Sequence, residues 1–373
     1  MNRLIFMKGY LINNPKYSVS RIQEELINSR ICLLSIDNNG DFKTSNVEYI
    51  NSSFIDDELG SLLQLSTYLN KYEKELLYDY NDKYMLWLYP IQIKYKNFEI
   101  NANISLRLYL NNTIITTIEV DSEYDTKKLQ KEIYTSEFES ISSSVELYNY
   151  IFENYNINSF NSLFDFIKVL LSGYFEMDGS ITRNLFIVDK EKLNIKDIYK
   201  ILNITEKDFK SYEELKDYRT LDDYYHYSSE TSSLIYGSDI NQPYMKVLIL
   251  DYEIIYLILN DFVVYNALKN DKLSLKELYK LRDDYSFKFA TKKYNKYELE
   301  NDYINDILNL QNRYDLKDLI SESINKKIEK RNDLFQKNIT IITIVLTIFT
   351  FFNSAILDKI ISMFKYILEY MLS

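Results

Sequence analysis

The chain has 373 residues, 46% of them apolar, and a formal net charge of −11. That length suits two domains, or one large domain with an appendage. So acidic a chain offers no dominant basic surface to release counterions from DNA or RNA, which argues against a nucleic-acid polymer as partner, although a local basic pocket could still hold a small anion.

The single cysteine, Cys32 in ICLLSI, permits no intrachain disulfide and reads as a buried small hydrophobe. The single histidine, His226 in DDYYHYSS, reads as a surface residue in an acidic loop. With one of each, a histidine metal cluster or a Ser-His-Asp site needs more than this chain supplies. The apolar part of MNRLIFMKGYLINNPKYS is too short and interrupted for a signal peptide, which places the bulk of the protein in the cytoplasm. The 36 tyrosines read as compositional bias.

In chain order, RLIFMKGYLI reads as a strand and SVSRIQEELINS as a helix with a capping serine. RICLLSID reads as a short buried strand before a turn at Asn38, Asn39 and Gly40, and residues 59–77 as a helix. The clearest β signal lies at 85–120. There MLWLYPIQIKY, FEINANISLRLYL and TIITTIEV form an antiparallel meander with short turns at Lys96-Asn97 and Asn111-Asn112. Phe98, Ile100, Ala102, Ile104, Leu106, Leu108 and Leu110 form its buried face. Glu99, Asn101, Asn103, Ser105 and Arg107 form the other, outward face. Residues 127–175 read as helices, NLFIVD as a strand, KLNIKDIYKIL as a helix, and 205–243 as irregular.

From about 247 the chain reads as helical to its end. A third long helix starts near Tyr297 and runs about sixty residues without Gly or Pro. Its end is NITIITIVLTIFTFFNSAIL, residues 338–357, twenty uncharged residues or about 30 Å of helix, the thickness of a hydrocarbon core. Lys326, Lys327, Lys330, Arg331 and Lys337 precede it, against Glu329 and Asp333; only Lys359 and Lys365 follow, against Asp358 and Glu369. The positive-inside rule then puts the N-terminal part in the cytoplasm, at the inner membrane of a bacterial cell.

Thr340, Thr343, Thr347, Thr350 and Ser354 recur at spacings of 3, 4, 3 and 4, and the seam continues backward through Gln336, Asp333 and Glu329. A 3-4 repeat implies identical helices meeting along one axis. The hydroxyls then serve either as small residues for close helix packing or as rings around a watery path with acidic rings at its mouth. A lone anchor with hydroxyls bonded back to its own helix is the third alternative. The tail DKIISMFKYILEYMLS is amphipathic, and reads as an interfacial helix or a short second span. The expected organisation is an α+β or α/β cytoplasmic domain at 1–245, a helical stalk at 246–337, a transmembrane helix at 338–357 and the tail at 358–373.

The run ESINKKIEKRNDLFQKNITIITIVLTIFTFF, a polar stalk with Asn332 near its end passing into a Thr/Ile-rich span, resembles the CorA family of divalent-cation transporters. The resemblance is architectural over most of the chain and sequence-like over about its last sixty residues. It implies a homo-oligomer in the bilayer, a pentamer, with a cytoplasmic α/β domain controlling a pore and a divalent cation as cargo. The family's Gly-Met-Asn signature after the first span is absent; FFNSAILDKI stands there, with Asn353 as the only remnant of a filter.

Divergent CorA-like proteins resemble membrane effectors of bacterial antiviral defence that a small nucleotide triggers, which sets a ligand-gated effector beside an atypical magnesium-type channel and a non-conducting scaffold. No phosphate-loop motif and no marked nucleophile is present, and Asp222-Asp223 and Asp283-Asp284 read as solvated charge, so the chain reads as a non-enzyme without an evident cofactor.

Overall fold

A computed structural model describes residues 2–37, 41–45, 83–96, 98–109, 112–122, 137–189, 192–204, 216–219, 224–237, 241–291, 298–310 and 316–371. The helix expected at 59–77, Leu110 and all of 123–136 lie outside these residues.

Two compact units result. The larger takes in residues 1–266 and 287–314, the smaller 267–286 and 315–373. The first is built on an eleven-stranded sheet. Its strands are β1 (Asn2–Asn13), β2 (Cys32–Ile36), β3 (Phe42–Thr44), β4 (Lys83–Leu88), β5 (Ile91–Tyr95), β6 (Phe98–Tyr109), β7 (Thr113–Ser122), β8 (Ser140–Ser143), β9 (Glu176–Val188), β10 (Tyr224–Ser228) and β11 (Ser232–Gly237).

The main order is β10-β11-β9-β1-β7-β6-β4-β2-β3, with β5 continuing beside β6 and β8 beside β5. Every pair is antiparallel except β9 with β11. The expected meander is present. Its first run breaks at Tyr89-Pro90 into β4 and β5, both paired to β6, because proline cannot donate to the ladder.

Helices cover both faces. On one lie α1 (Val19–Asn28), α2 (Glu146–Asn154) and α3 (Phe160–Leu171). Gln23 of α1 donates to Ser35 of β2, Phe160 of α3 meets Phe6 of β1, and Tyr148 of α2 packs on Phe166. Ser159 caps α3 in a reciprocal capping box with Ser162. A short helix, α4 (Ile195–Ile201), follows β9 and is capped by Asn194.

The other face carries α5 (Asn241–Lys269). At Gly9 of β1 a Cβ would stand 2.4 Å from Ile255 and 2.8 Å from Leu259, so glycine is what lets this helix approach the strand. The far side of α5 packs Leu250, Ile254 and Leu257 against Tyr303, Ile304, Ile307 and Leu308 of α7 (Glu298–Leu310), with α6 (Leu275–Thr291) between them in sequence. Buried on both sides, α5 is apolar nearly all round. The sheet unit therefore takes in α5 to Asn266 and all of α7, residues that the sequence alone assigns to a stalk.

Three expectations are corrected. Arg107 is 1% exposed rather than outward-facing, because α5 covers that end of the sheet and lays Tyr252 over the guanidinium at 3.9 Å. His226 is 2% exposed, in strand β10, not in a surface loop, and residues 224–237 are a paired hairpin rather than an irregular segment. The helix expected to start near Tyr297 is two helices in two units, α7 and the 56-residue α8 (Leu316–Met371).

Candidate functional site: an unburied apolar helix

The smaller unit holds α8. Its first turns bury Leu316, Ile320 and Ile324 at helical spacing, and Lys327 pairs with Asp271 at 2.7 Å. Beyond this the burial stops. From Glu329 to Ile367 every residue except Ala355 is exposed.

The exposed side chains include Ile341, Ile342, Ile344, Val345, Leu346, Ile348, Phe349 and Phe352, and Phe351 is 71% exposed. At about 1.5–3 kcal/mol for each such side chain withdrawn from water, leaving this stretch in solvent costs on the order of tens of kcal/mol. Among the described residues α8 is the one helix long and apolar enough to cross a membrane, and none of its most apolar window is buried in the chain itself. A core helix of a soluble domain passes the same test of length and composition, but lies mostly buried. The C-terminal helix is thus compatible with membrane anchoring.

The helix does not stop at residue 357; it runs on through 358–371. Asn353 consequently sits inside a helix, exposed, next to Ser354, and not in a loop.

Glu329, Asp333, Gln336, Thr340, Thr343, Thr347, Thr350 and Ser354 all lie on α8, all exposed. Their hydroxyls are not idle. Thr340 donates to the Gln336 carbonyl at 2.9 Å, Thr343 to Ile339 at 2.8 Å and Thr347 to Thr343 at 2.8 Å. Thr350 donates to the Leu346 carbonyl and Ser354 to Phe351. Each proton is spent within the helix, so the stripe carries no unsatisfied donor into an apolar medium. Each oxygen keeps lone pairs that a neighbouring helix, a water or a cation can use.

The sequence reading missed a second constellation, in the sheet unit. Arg183 of β9 is buried and donates through Nε to Asp251 Oδ1 of α5 at 2.6 Å. Its Nη1 donates to the Glu230 carbonyl at 2.9 Å; Nη2 donates to Ser228 Oγ at 2.7 Å, Ser233 Oγ at 2.9 Å and Tyr303 Oη of α7 at 2.7 Å. Burial works against the guanidinium charge, but the pull of Asp251 and Tyr303 outweighs it and raises the Arg183 pKa. Beside this group His226 faces Tyr303, ring centres 4.9 Å apart, and its pKa falls to about 3, first through burial and then through the Arg183 charge. The group ties β9, β10, β11, α5 and α7 together, with no opening to solvent at Arg183, Asp251 or Tyr303. The signal was present: Asp251 interrupts the apolar run VLILDYEIIYLIL, and a carboxylate there requires a buried cation.

Among the described residues no group of three or more His, Cys, Asp or Glu is placed to hold a metal ion. Compared with protein families, curated proteins and solved structures, the chain matches none.

Proposed function

We propose that the chain is a homo-oligomeric membrane protein of CorA-like architecture. Copies of α8 meet along the hydroxyl seam, and the N-terminal unit, on the cytoplasmic side of the inner membrane, controls a pore between them. The observation that carries this reading is the coincidence on one helix of an unburied apolar surface and a 3-4 seam that continues into Asp333 and Glu329. The surface calls for a bilayer, and the seam calls for identical neighbours. Five basic against two acidic residues before the span support the orientation.

With their protons donated inward, the threonine oxygens present lone pairs outward, which suits a hydrated cation better than an anion. Magnesium, which gives up its waters reluctantly, fits such a lining and the acidic mouth. On this reading the protein is a ligand-gated effector, and the resemblance to antiviral effectors points to a small nucleotide as the trigger. An ungated divalent-cation channel differs only in conducting without a trigger. The back-bonded hydroxyls themselves favour a second reading, a membrane-anchored scaffold that conducts nothing, since a seam satisfied within its own helix tolerates lipid.

The test is ion flux from liposomes holding the purified protein, compared with a Thr343→Leu, Thr347→Leu, Thr350→Leu variant, alongside the oligomer mass of each. The expected result is cation flux, with or without added nucleotide, that the equally oligomeric variant loses by tenfold or more. A monomeric wild type, or a wild type silent under every cation and nucleotide tried, removes the pore reading and leaves the scaffold.

A further inference from the structure

On the sheet face opposite α5, the even residues of β1 lie under α3. Phe6 meets Phe160, and two residues further along the strand Lys8 places its ammonium 5.3 Å from the ring centre of Phe164, one helical turn on. Tyr10 comes next on the strand and Lys168 next on the helix, with the Lys168 ammonium 5.1 Å from the Tyr10 ring centre and that of Lys8 at 5.9 Å. A period of two on the strand and four on the helix thus brings two cations to one aromatic ring.

Three features of this spot are unfavourable as they stand. Tyr10 is 0% exposed, yet its hydroxyl has no hydrogen-bond partner among the described residues. A buried hydroxyl in that condition costs about 1–3 kcal/mol. Neither ammonium has an ion pair or hydrogen bond among the described residues, so the two like charges are offset only by their contacts with the aromatic rings. Finally, Lys8 is easier to deprotonate than usual, first through burial and then through repulsion from Lys168; the one nearby acid, Asp165, opposes this without reaching an ion pair. Both lysines are half-buried and Asp165 is exposed, so solvent reaches the two lysines, while the Tyr10 hydroxyl beneath them is sealed until a side chain shifts.

We propose that Lys8, Tyr10 and Lys168 form a binding site for a small phosphorylated anion. A phosphate oxygen accepting from the Tyr10 hydroxyl pairs a donor that otherwise has nothing. Its charge neutralises two ammoniums that otherwise repel, and charge-assisted bonds to lysine are the stronger kind. Phe164 and the ring of Tyr10 wall the site with apolar surface, which keeps the pairs from being screened. This inference concerns the sheet unit and does not depend on whether α8 conducts.

The experiment is calorimetric titration of the full chain in detergent with inorganic phosphate and with AMP, at constant ionic strength set by chloride. The wild type is expected to bind one or both. Lys8→Met with Lys168→Met is expected to weaken binding at least tenfold while leaving the thermal midpoint without ligand unchanged or higher, because the repulsion is gone. Tyr10→Phe separates a ligand contact from a structural one: it deletes an unpaired hydroxyl, so the ligand-free midpoint holds or rises while affinity drops severalfold. No binding of either probe by the wild type, or equal affinity in wild type and variants, overturns the proposal.

Discussion

A carboxylate fully buried on a largely apolar helix obliges the fold to bring it a cation, and Asp251 meets Arg183 at 2.6 Å with both side chains sealed from solvent. Removing one partner of such a pair costs about 3–5 kcal/mol, most of it for the charge left alone, so the pair constrains which elements can come together more than it adds net stability. His226, packed beside it, has a testable pH signature. Its folded pKa of about 3 lies below the ordinary 6.5, so between these values the unfolded chain binds the extra proton and stability falls as pH falls. Urea midpoints of the full chain in detergent, followed from pH 7 to pH 5, are expected to decline with a contribution from His226 approaching one proton. His226→Phe is expected to flatten that decline, and an unchanged slope would mean that the histidine titrates normally.

The sheet is held between helical layers that meet its two faces differently. On the α3 side aromatic rings interleave, Phe160 of the helix meeting Phe6 of β1 and Phe138 of the segment before β8. On the α5 side tyrosines do the same work with a polar handle. Tyr252 lies over Arg107 with its hydroxyl 3.0 Å from that of Thr117, and Tyr256 packs on Tyr109. The strand of closest approach is β1, where only hydrogen at position 9 clears Ile255 and Leu259. Gly9→Val is therefore expected to destabilise the sheet unit by about 1–3 kcal/mol through overpacking, read as a lower urea midpoint. Gly173, whose Cβ would meet nothing within 4 Å, is the internal control, and Gly173→Ala is expected to leave the midpoint within about 0.5 kcal/mol.

At the scale of the whole chain, the two compact units treat their apolar residues differently. The sheet unit hides its apolar residues inside itself, Leu4, Ile22, Leu34, Ile104 and Ile255 among them, as a water-soluble domain does. From Glu329 onward α8 hides almost nothing, so its apolar surface is matched to a medium outside the chain. The full chain is expected to stay in the membrane pellet through an alkaline carbonate wash, and deleting residues 329–373 is expected to move it to the supernatant. A truncated chain still in the washed pellet would put the membrane contact elsewhere. The hydrogen bonds that satisfy the threonines run along α8 and survive insertion, so the polar stripe is no obstacle to that partition.

The sequence by itself determined the features that repeat with a short period. Alternation from Phe98 to Tyr109 announced β6, with its turns on either side. Twenty uncharged residues announced an apolar helix, and that helix is present and unburied. These depend only on a residue's near neighbours along the chain. What the tertiary structure decided depends on elements far apart in sequence. Arg107 alternates as an outward residue, but a helix arriving some 145 positions later covers it, and no local pattern encodes that cover. His226 sits among acidic and polar residues that read as a loop, yet parallel pairing of β11 with β9 and the packing of Tyr303 bury it. The seam from Glu329 to Ser354 was legible because it lies on one helix. The Arg183–Asp251–Tyr303 group and the Lys8–Tyr10–Lys168 group were not, because each joins strands and helices whose adjacency exists only once the sheet has folded.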